Sequence, residues 1–397
     1  MVSRHVLCSV PIDSVSICAS SCLTEQETIV FVLMSQESAA PKAPSVGVVI
    51  PTYNRDDLLE TCLEHVARQT APPSRIIIID NGTRNTMPDF LRKFEFLDWI
   101  PLSGNRGTAV AFNLGIRAAK DCDYVFLLNN DAEMEPECLS YLVQALEQDR
   151  TYSAAVPKLL RWSDPRYLDG VGDEILLGGG AYRVGSGELD AGQYEVPAPV
   201  FGACAAAALY RASLFDDVGG FDEDFFAYRE DVDFDLRAQL RGHRCLYLPA
   251  ARVHHHGSAT MGKPAHSWIV RLSTRNQILA ILKNYPGRAL VRFLPQLMIF
   301  QALWLGFAIR RQTFFAACAG LFDTLRLLPK TLAKRKQIQS NRVTSSDCFS
   351  ALLEQSELRI RRWHNSVHNP QPSKLLALYF RLCGRGRMPT SSGTAAW

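Results

Sequence analysis

The 397-residue chain contains no CxxC pair, and its eleven cysteines form no even framework. A chain of this length buries enough core to dispense with disulfide staples, so reduced thiols in a cytosolic compartment are expected. Cys18 and Cys22 stand closest together, and with no histidine beside them they do not read as a metal site. An excess of one charge is also missing. Lys and Arg number 43 against 40 Asp and Glu, and a net charge of +3 on this length gives no reason to expect a nucleic-acid partner. Long apolar runs are scarce: FLPQLMIFQALWLGFAI at 293–309 is 17 residues, at the lower limit for a membrane span, and carries Pro295, Gln296 and Gln301. No GxGxxG follows the first strand, which argues against a dehydrogenase. A Gly-rich, Lys-containing loop is missing there too, which argues against a nucleotidyltransferase.

The first 44 residues lack the basic start and long apolar run of a signal peptide and are rich in Ser, Cys and Pro. They are expected to form a poorly ordered extension, with Met34 a second candidate start. From Ser45 the pattern becomes regular. SVGVVI and RIIIIDNG read as strands, the second apolar at every position before Asp80, as a strand buried on both faces should be. Between them Leu58, Leu59, Cys62, Leu63 and Val66 fall at helical spacing. A weak helix near Pro88–Phe94 and a short strand near Trp99–Leu102 come next. GNRGTAVAFNLGIRAAK then opens a helix, DYVFLLNND gives a strand, and EPECLSYLVQALEQD a helix with Pro136 in its first turn. Strands alternating with helices predict a mostly parallel sheet with right-handed crossovers, whose ligands bind beyond the carboxyl ends of the strands. PTYN, DNG, GNRGTA and NND all fall there.

Further on, a Gly-rich stretch at 170–192 reads as loops over the cleft, and GACAAAALYRASL as a small-residue run passing under a ligand. AYREDVDFDLRAQLRG predicts a helix with Val232, Leu236 and Leu240 on one face, Gly242 at its end, and Glu230 and Asp231 at its start. The next strand ends in three histidines, His254, His255 and His256. The catalytic domain is placed at 45–282. Residues 283–345 hold 11 Lys and Arg up to Arg342 against the single acid Asp323, interleaved with apolar stretches. They are expected to form amphipathic helices lying on an anionic membrane surface, with a helical cap packed on the catalytic domain as the plainer alternative. Residues 346–397 give a further helix and a disordered tail beyond Met388.

Two acidic constellations carry the chemistry. Asp131, with Asn129 and Asn130 beside it, can hold a hard divalent cation, Mg²⁺ or Mn²⁺, which shares few protein carboxylates with the phosphates of a ligand. Its plain alternative is a strand end that caps the next helix. Glu230 and Asp231 suit a helix N-terminus on electrostatic grounds alone. Adjacent carboxylates at a cleft also raise one another's pKa and supply a general base.

VVIPTYNR, IIIIDNGT, GNRGTAVAFNLGI, LLNNDAEMEP, GGFDEDFFAYREDVDFDLRAQLRG and ARVHHHGSAT stand in the order seen in family 2 glycosyltransferases. Over residues 45–282 the chain resembles the rhamnosyltransferase-like branch of that family, which has a GT-A, Rossmann-like fold. The resemblance implies inverting transfer of a sugar, such as rhamnose, from a nucleotide-diphosphate donor to a lipid-linked or polysaccharide acceptor in cell-envelope glycan synthesis. It places the protein in the cytoplasm, peripherally on the inner face of the membrane. By position it implies that Pro51, Thr52, Tyr53 and Asn54 line the nucleotide site and that Asp80 contacts the base or ribose. Asn105, Gly107 and Asn113 would border the donor. Asn129-Asn130-Asp131 takes the place of the family's DxD motif, with Asn129 where the first carboxylate stands, so Asp131 would hold the metal. Asp231 matches the catalytic base, Glu230 assists it, and His255 best matches a histidine that some relatives use as a further metal ligand. RIRRW at 359–363 matches an RxxRW-like pattern of processive polysaccharide synthases, but its distance from Asp231 in sequence marks it as coincidental. A non-catalytic scaffold that binds a nucleotide or lipid is the competing reading outside enzymes.

Overall fold

Runs such as Val46–Thr52 and Arg75–Asp80 are apolar at consecutive positions because both faces of each strand are covered. In the computed structural model, which describes residues 43–257 and 266–384, Ile77 and Ile79 enter one core layer while Ile76 and Ile78 enter the other. The expectations for the N-terminal extension through residue 42 and for the tail beyond Met388 lie outside the described residues.

The first half runs β1 (Val46–Thr52), α1 (Asp56–Ala67), β2 (Arg75–Asp80), β3 (Leu97–Pro101), α2 (Thr108–Ala118), β4 (Tyr124–Leu128), β5 (Ala132–Met134) and α3 (Cys138–Gln148). The weak helix is one 3₁₀ stretch, Asp89–Lys93. Helix α1 buries Leu58, Leu59, Cys62, Leu63 and Val66. Pro136 lies ahead of α3 rather than inside its first turn, because β5 takes up the chain directly after Asn129-Asn130-Asp131. The second half adds β6 (Ala154–Arg161), β7 (Leu168–Gly170), β8 (Asp173–Ile175), β9 (Ala181–Arg183), β10 (Ala198–Val200), β11 (Ala207–Arg211), α4 (Ala212–Val218), α5 (Glu230–Leu240) and β12 (Cys245–His255). Helices α6 (Ser267–Asn284), α7 (Gly287–Arg292), α8 (Leu294–Arg310), α9 (Phe314–Asn341), α10 (Ser346–His364) and α11 (Lys374–Leu382) follow.

The main sheet has the order β10-β12-β6-β11-β4-β1-β2-β3, with β5 attached to β12 and β7 to β6. Strands β3, β2, β1 and β4 are parallel, as are β6 and β12. The strand β11 runs antiparallel between β4 and β6. That reversal matters for the site: Ala207 pairs with Leu128, so the small residues before β11 enter at the carboxyl end of β4. Antiparallel pairing of β5 with β12 sets His255 opposite Ala132 and brings the third strand end to the same place.

The C-terminal helices pack on the α/β part. Lys330 and Lys334 of α9 reach Asp224 at 2.5 and 2.6 Å. The guanidinium of Arg359 on α10 grips buried Glu174 of β8 at 2.5 and 3.0 Å. Ser356 accepts a hydrogen bond from the Ile175 amide at 2.6 Å, and Tyr379 of α11 accepts one from Gly178 at 3.0 Å. The β8–β9 hairpin is therefore held from behind by α10 and α11. Among the described residues no helix is long and apolar enough to cross a membrane.

Candidate active site

The carboxyl ends of β1 and β4, the start of α2, the chain entering β11, the turn before α5 and the end of β12 enclose a cleft of about 320 Å³. Pro51, Thr52, Tyr53, Asn105, Gly107, Asn129, Asn130, Asp131, Glu230, Asp231 and His255 all line it, so the two acidic constellations meet across one pocket. Three expected residues do not line it. Asn54 is exposed beside it. Asp80 is fully buried under Arg84, 2.9 Å from its Nε, and under the Trp99 indole at 3.3 Å. Its neighbour Asn81 takes the cleft position instead and ties the second and third loops together, accepting from the Arg106 amide at 2.8 Å. Asn113 faces away from the cleft: its amide donates to the Phe221 carbonyl at 2.9 Å and accepts from the Phe221 N–H at 2.7 Å. The polar group that resemblance placed at the donor's border thus pins the chain ahead of α5.

On one side of the cleft, His255 Nε2 lies 3.3 Å from Asp131 Oδ1, both side chains buried. That nitrogen has no hydrogen-bond partner, while Nδ1 lies 2.8 Å from Asp169. A buried imidazole nitrogen facing one carboxylate, with its other nitrogen held by a second, has the chemistry of metal-ligand donors. Burial alone would lower the pKa of His255, but Asp131 and Asp169 override it and raise it to about 9 in the metal-free site. His254 and His256 turn to the opposite strand face, toward Glu135 and Glu133, each at 3.2 Å.

On the other side, Glu230 is buried and Asp231 half-buried at the start of α5. Burial, and then the negative charge of Asp231, push the Glu230 carboxyl up to about 8. Burial also raises Asp231, opposed by the Val232 amide and by Arg183 and Arg229. The turn that delivers the pair is strained: Phe226, Tyr228 and Arg229 all have φ between 64° and 67°. Asn276 of α6 holds it, its Nδ2 within 2.9 Å of the carbonyl oxygens of Phe225, Ala227 and Tyr228. Gly107 allows the opposite wall to close on this turn. At φ +86° it lies where a Cβ would stand 2.4 Å from the Phe226 carbonyl oxygen.

Sequence reasoning missed the floor. Arg183, Cys204, Ala205, Ala206 and Arg229 line the cleft, and Asp173 packs beside Asp231. The small-residue run at 203–208 was the one signal that pointed there. A larger cavity of about 800 Å³ opens elsewhere, between α4 and α9. Its Lys283, Lys330 and Lys334 are each paired with Asp222 or Asp224.

A carboxylate beside a histidine and a paired acid group thus face each other at the carboxyl edge of a mostly parallel sheet. Residues 47–219 match the model described as Glycosyl transferase family 2, and this part of the chain is similar to that family. Over 237 residues the chain is 26% identical to the N-acetylglucosaminyl-diphospho-decaprenol L-rhamnosyltransferase of Mycobacterium tuberculosis, covering 54% of this chain and 77% of the relative. It is 25% identical over 246 residues to Rhamnosyltransferase WbbL of Escherichia coli, covering 58% and 91%. The crystal structure of GalNAc-T7 with UDP, GalNAc and Mn²⁺ superposes with a TM-score of 0.52 at 15% identity, over 67% of this chain and 52% of that one. At that identity the likeness is one of fold.

Proposed function

We propose that the protein transfers a deoxyhexose of the rhamnose type from a nucleotide-diphosphate donor, with inversion, to a lipid-linked or glycan acceptor. The observation that supports this most directly is that Asp131 and Asp231, a hundred positions apart, line one cleft. The rhamnose-type donor and the lipid-linked acceptor rest on the names of the two rhamnosyltransferase relatives.

Asp131 and His255 would hold a Mg²⁺ or Mn²⁺ ion; the unpartnered His255 nitrogen facing Asp131 fits that role. When bound, such an ion supplies positive charge to a diphosphate leaving group. Asn129 and Asn130 stand beside it as neutral donors, and the Asn130 amide is fixed 3.1 Å from the Thr52 hydroxyl. Asp231 accepts the proton of the acceptor hydroxyl as its oxygen attacks the anomeric carbon from the face opposite the diphosphate. Glu230, kept neutral by burial, can donate a hydrogen bond to the acceptor instead of repelling the base.

Purified protein should turn over one member of a panel of dTDP-, UDP- and GDP-sugars, and EDTA should abolish this. Asp231→Asn should bind the same donor and lose about 10²–10⁴-fold in kcat, the usual contribution of a positioned base. Near-normal turnover in that variant removes Asp231 as base. The same assay decides against the non-catalytic scaffold.

The outer sides of α8 and α9 are the basis for placing the protein on an anionic membrane surface at the cytoplasmic face. Leu294, Met298 and Ile309 form one exposed stripe on α8, and Phe315, Phe322 and Leu332 another on α9. Arg310, Arg311 and Arg326 are exposed around them, and Arg326 lies over the Phe322 ring at 4.4 Å.

A further inference from the structure

The floor of the cleft gathers three groups whose ligand atoms all lie within 4.8 Å of one another: Asp173, Cys204 and Asp231. The spacing would suit a second cation, but the position is already taken by an arginine. Arg183 reaches in from β9, with Nη2 2.6 Å from Cys204 Sγ and Nε 3.7 Å from Asp173. Its Nη1 also bonds Asp169, the carboxylate that orients His255. The fold makes room for this side chain. A Cβ on Gly170 would stand 2.1 Å from both Cγ and Cδ of Arg183. The Nε atom is buried and lacks a hydrogen-bond partner, so the guanidinium is not saturated by its tethers.

We propose that Arg183 is a positioning residue, a fixed internal cation that keeps the base Asp231 ionised and links it, through Asp169 and His255, to the metal side of the cleft. The inference rests on the functional reading above and goes beyond it by naming what sets the state of the base. The electrostatic surroundings of Asp231 leave few other candidates. Glu230, Asp173 and Asp235 are themselves held protonated, by burial and by the charge of Asp231. Cys204 and Tyr210 face it as neutral groups, their pKa values raised by burial. Among the described residues, the charges that favour its ionised form are Arg183 and Arg229, and Arg229 lies on the strained turn. A nearby arginine lowers a carboxylate pKa by about 1–3 pH units, and an ionised neighbour raises it.

Removing the Arg183 charge should therefore move the acid limb of the kcat/KM–pH profile. Arg183→Gln should shift it up by about one pH unit, a roughly tenfold loss on that limb that is recovered at alkaline pH. Arg183→Lys should restore most of the wild-type profile. A purely structural role would instead lower activity uniformly across pH in Arg183→Gln. The profile belongs to the coupled cluster, so the carboxyl ¹³C signal of Asp231, assigned by its loss in Asp231→Asn, is titrated in parallel. That titration needs no turnover, and it tests Arg183 even if no sugar on the panel is accepted. An Asp231 titration midpoint unchanged in Arg183→Gln overturns the inference and leaves the transferase reading intact.

Discussion

Glu230 is a carboxyl group that the fold makes hard to ionise, and this has a consequence for stability as well as chemistry. Its native pKa is raised to about 8 by burial and by Asp231, well above the ordinary carboxylate value of an unfolded chain. Between those two values the native state holds a proton that the unfolded state has released. The contribution of Glu230 is therefore complete below the unfolded pKa and is lost as pH rises toward 8. Asp173, raised to about 7 chiefly by burial, acts with the same sign. Glu230→Gln removes the larger of the two effects, because glutamine has no proton to lose. The melting temperature of this variant should gain on wild type steadily from pH 5 to pH 8.5. A constant difference across that range, read by calorimetry at matched ionic strength, would mean that Glu230 ionises as readily in the native state as in the unfolded one.

At the scale of elements, the turn ahead of α5 costs backbone strain, and one side chain from another element offsets it. Three non-glycine residues with positive φ cost about 1–3 kcal/mol each where the surroundings do not compensate. Asn276 supplies both protons of its amide to the carbonyls of that turn. Replacing it with alanine leaves buried acceptors unmet and should cost about 1–3 kcal/mol in denaturant unfolding. Because the turn carries Glu230 and Asp231, kcat should fall while metal-dependent donor binding persists. Loss of donor binding in step with kcat would place Asn276 in general packing rather than in presenting the acids. None of this staple was legible in the sequence, since a polar residue inside a helix gives no hint of carbonyls 50 positions away. What was legible follows a physical rule. Strands β1, β2 and β4 bury both faces and the helices between them one, so period and length identify them. Strands β7 to β10 have three residues each and no period to read, so the Gly-rich stretch read as loops and hid Asp169, Asp173 and Arg183. Asp131 and Asp231 were visible because they follow readable elements. Asn113, equally polar in the sequence, is employed in holding Phe221. The RIRRW segment, though distant from Asp231 along the chain, supports the floor: Arg359 bonds Glu174 and Trp363 packs 6.2 Å from Tyr182, both on the hairpin that carries Asp173 and Arg183.

At the scale of the whole molecule, the two sides of the C-terminal helices differ in character. Their inner sides pack as a cap on the α/β part, while their outer sides still present apolar side chains: Phe315 is 87% exposed and Val291 75%. A monomer rarely leaves such a surface to water, and basic residues at its edge favour a negatively charged partner. An anionic bilayer satisfies both features, and it is also where a lipid-linked acceptor would be found. In flotation assays the protein should rise with vesicles of phosphatidylcholine and phosphatidylglycerol and remain below with phosphatidylcholine alone. Raising the salt to about 0.5 M should weaken capture, since surface charges are screened within a few ångströms at that strength. The apolar part is tested separately by Phe315→Ser with Phe322→Ser. Fully burying a phenylalanine contributes about 1.5–3 kcal/mol, so losing two should reduce the partition coefficient by about 100-fold or more. Transfer to a water-soluble acceptor should be unaffected, because neither side chain lines the cleft. If the double variant floats as well as wild type, the apolar stripes do not enter the bilayer, and the arginines alone account for any binding.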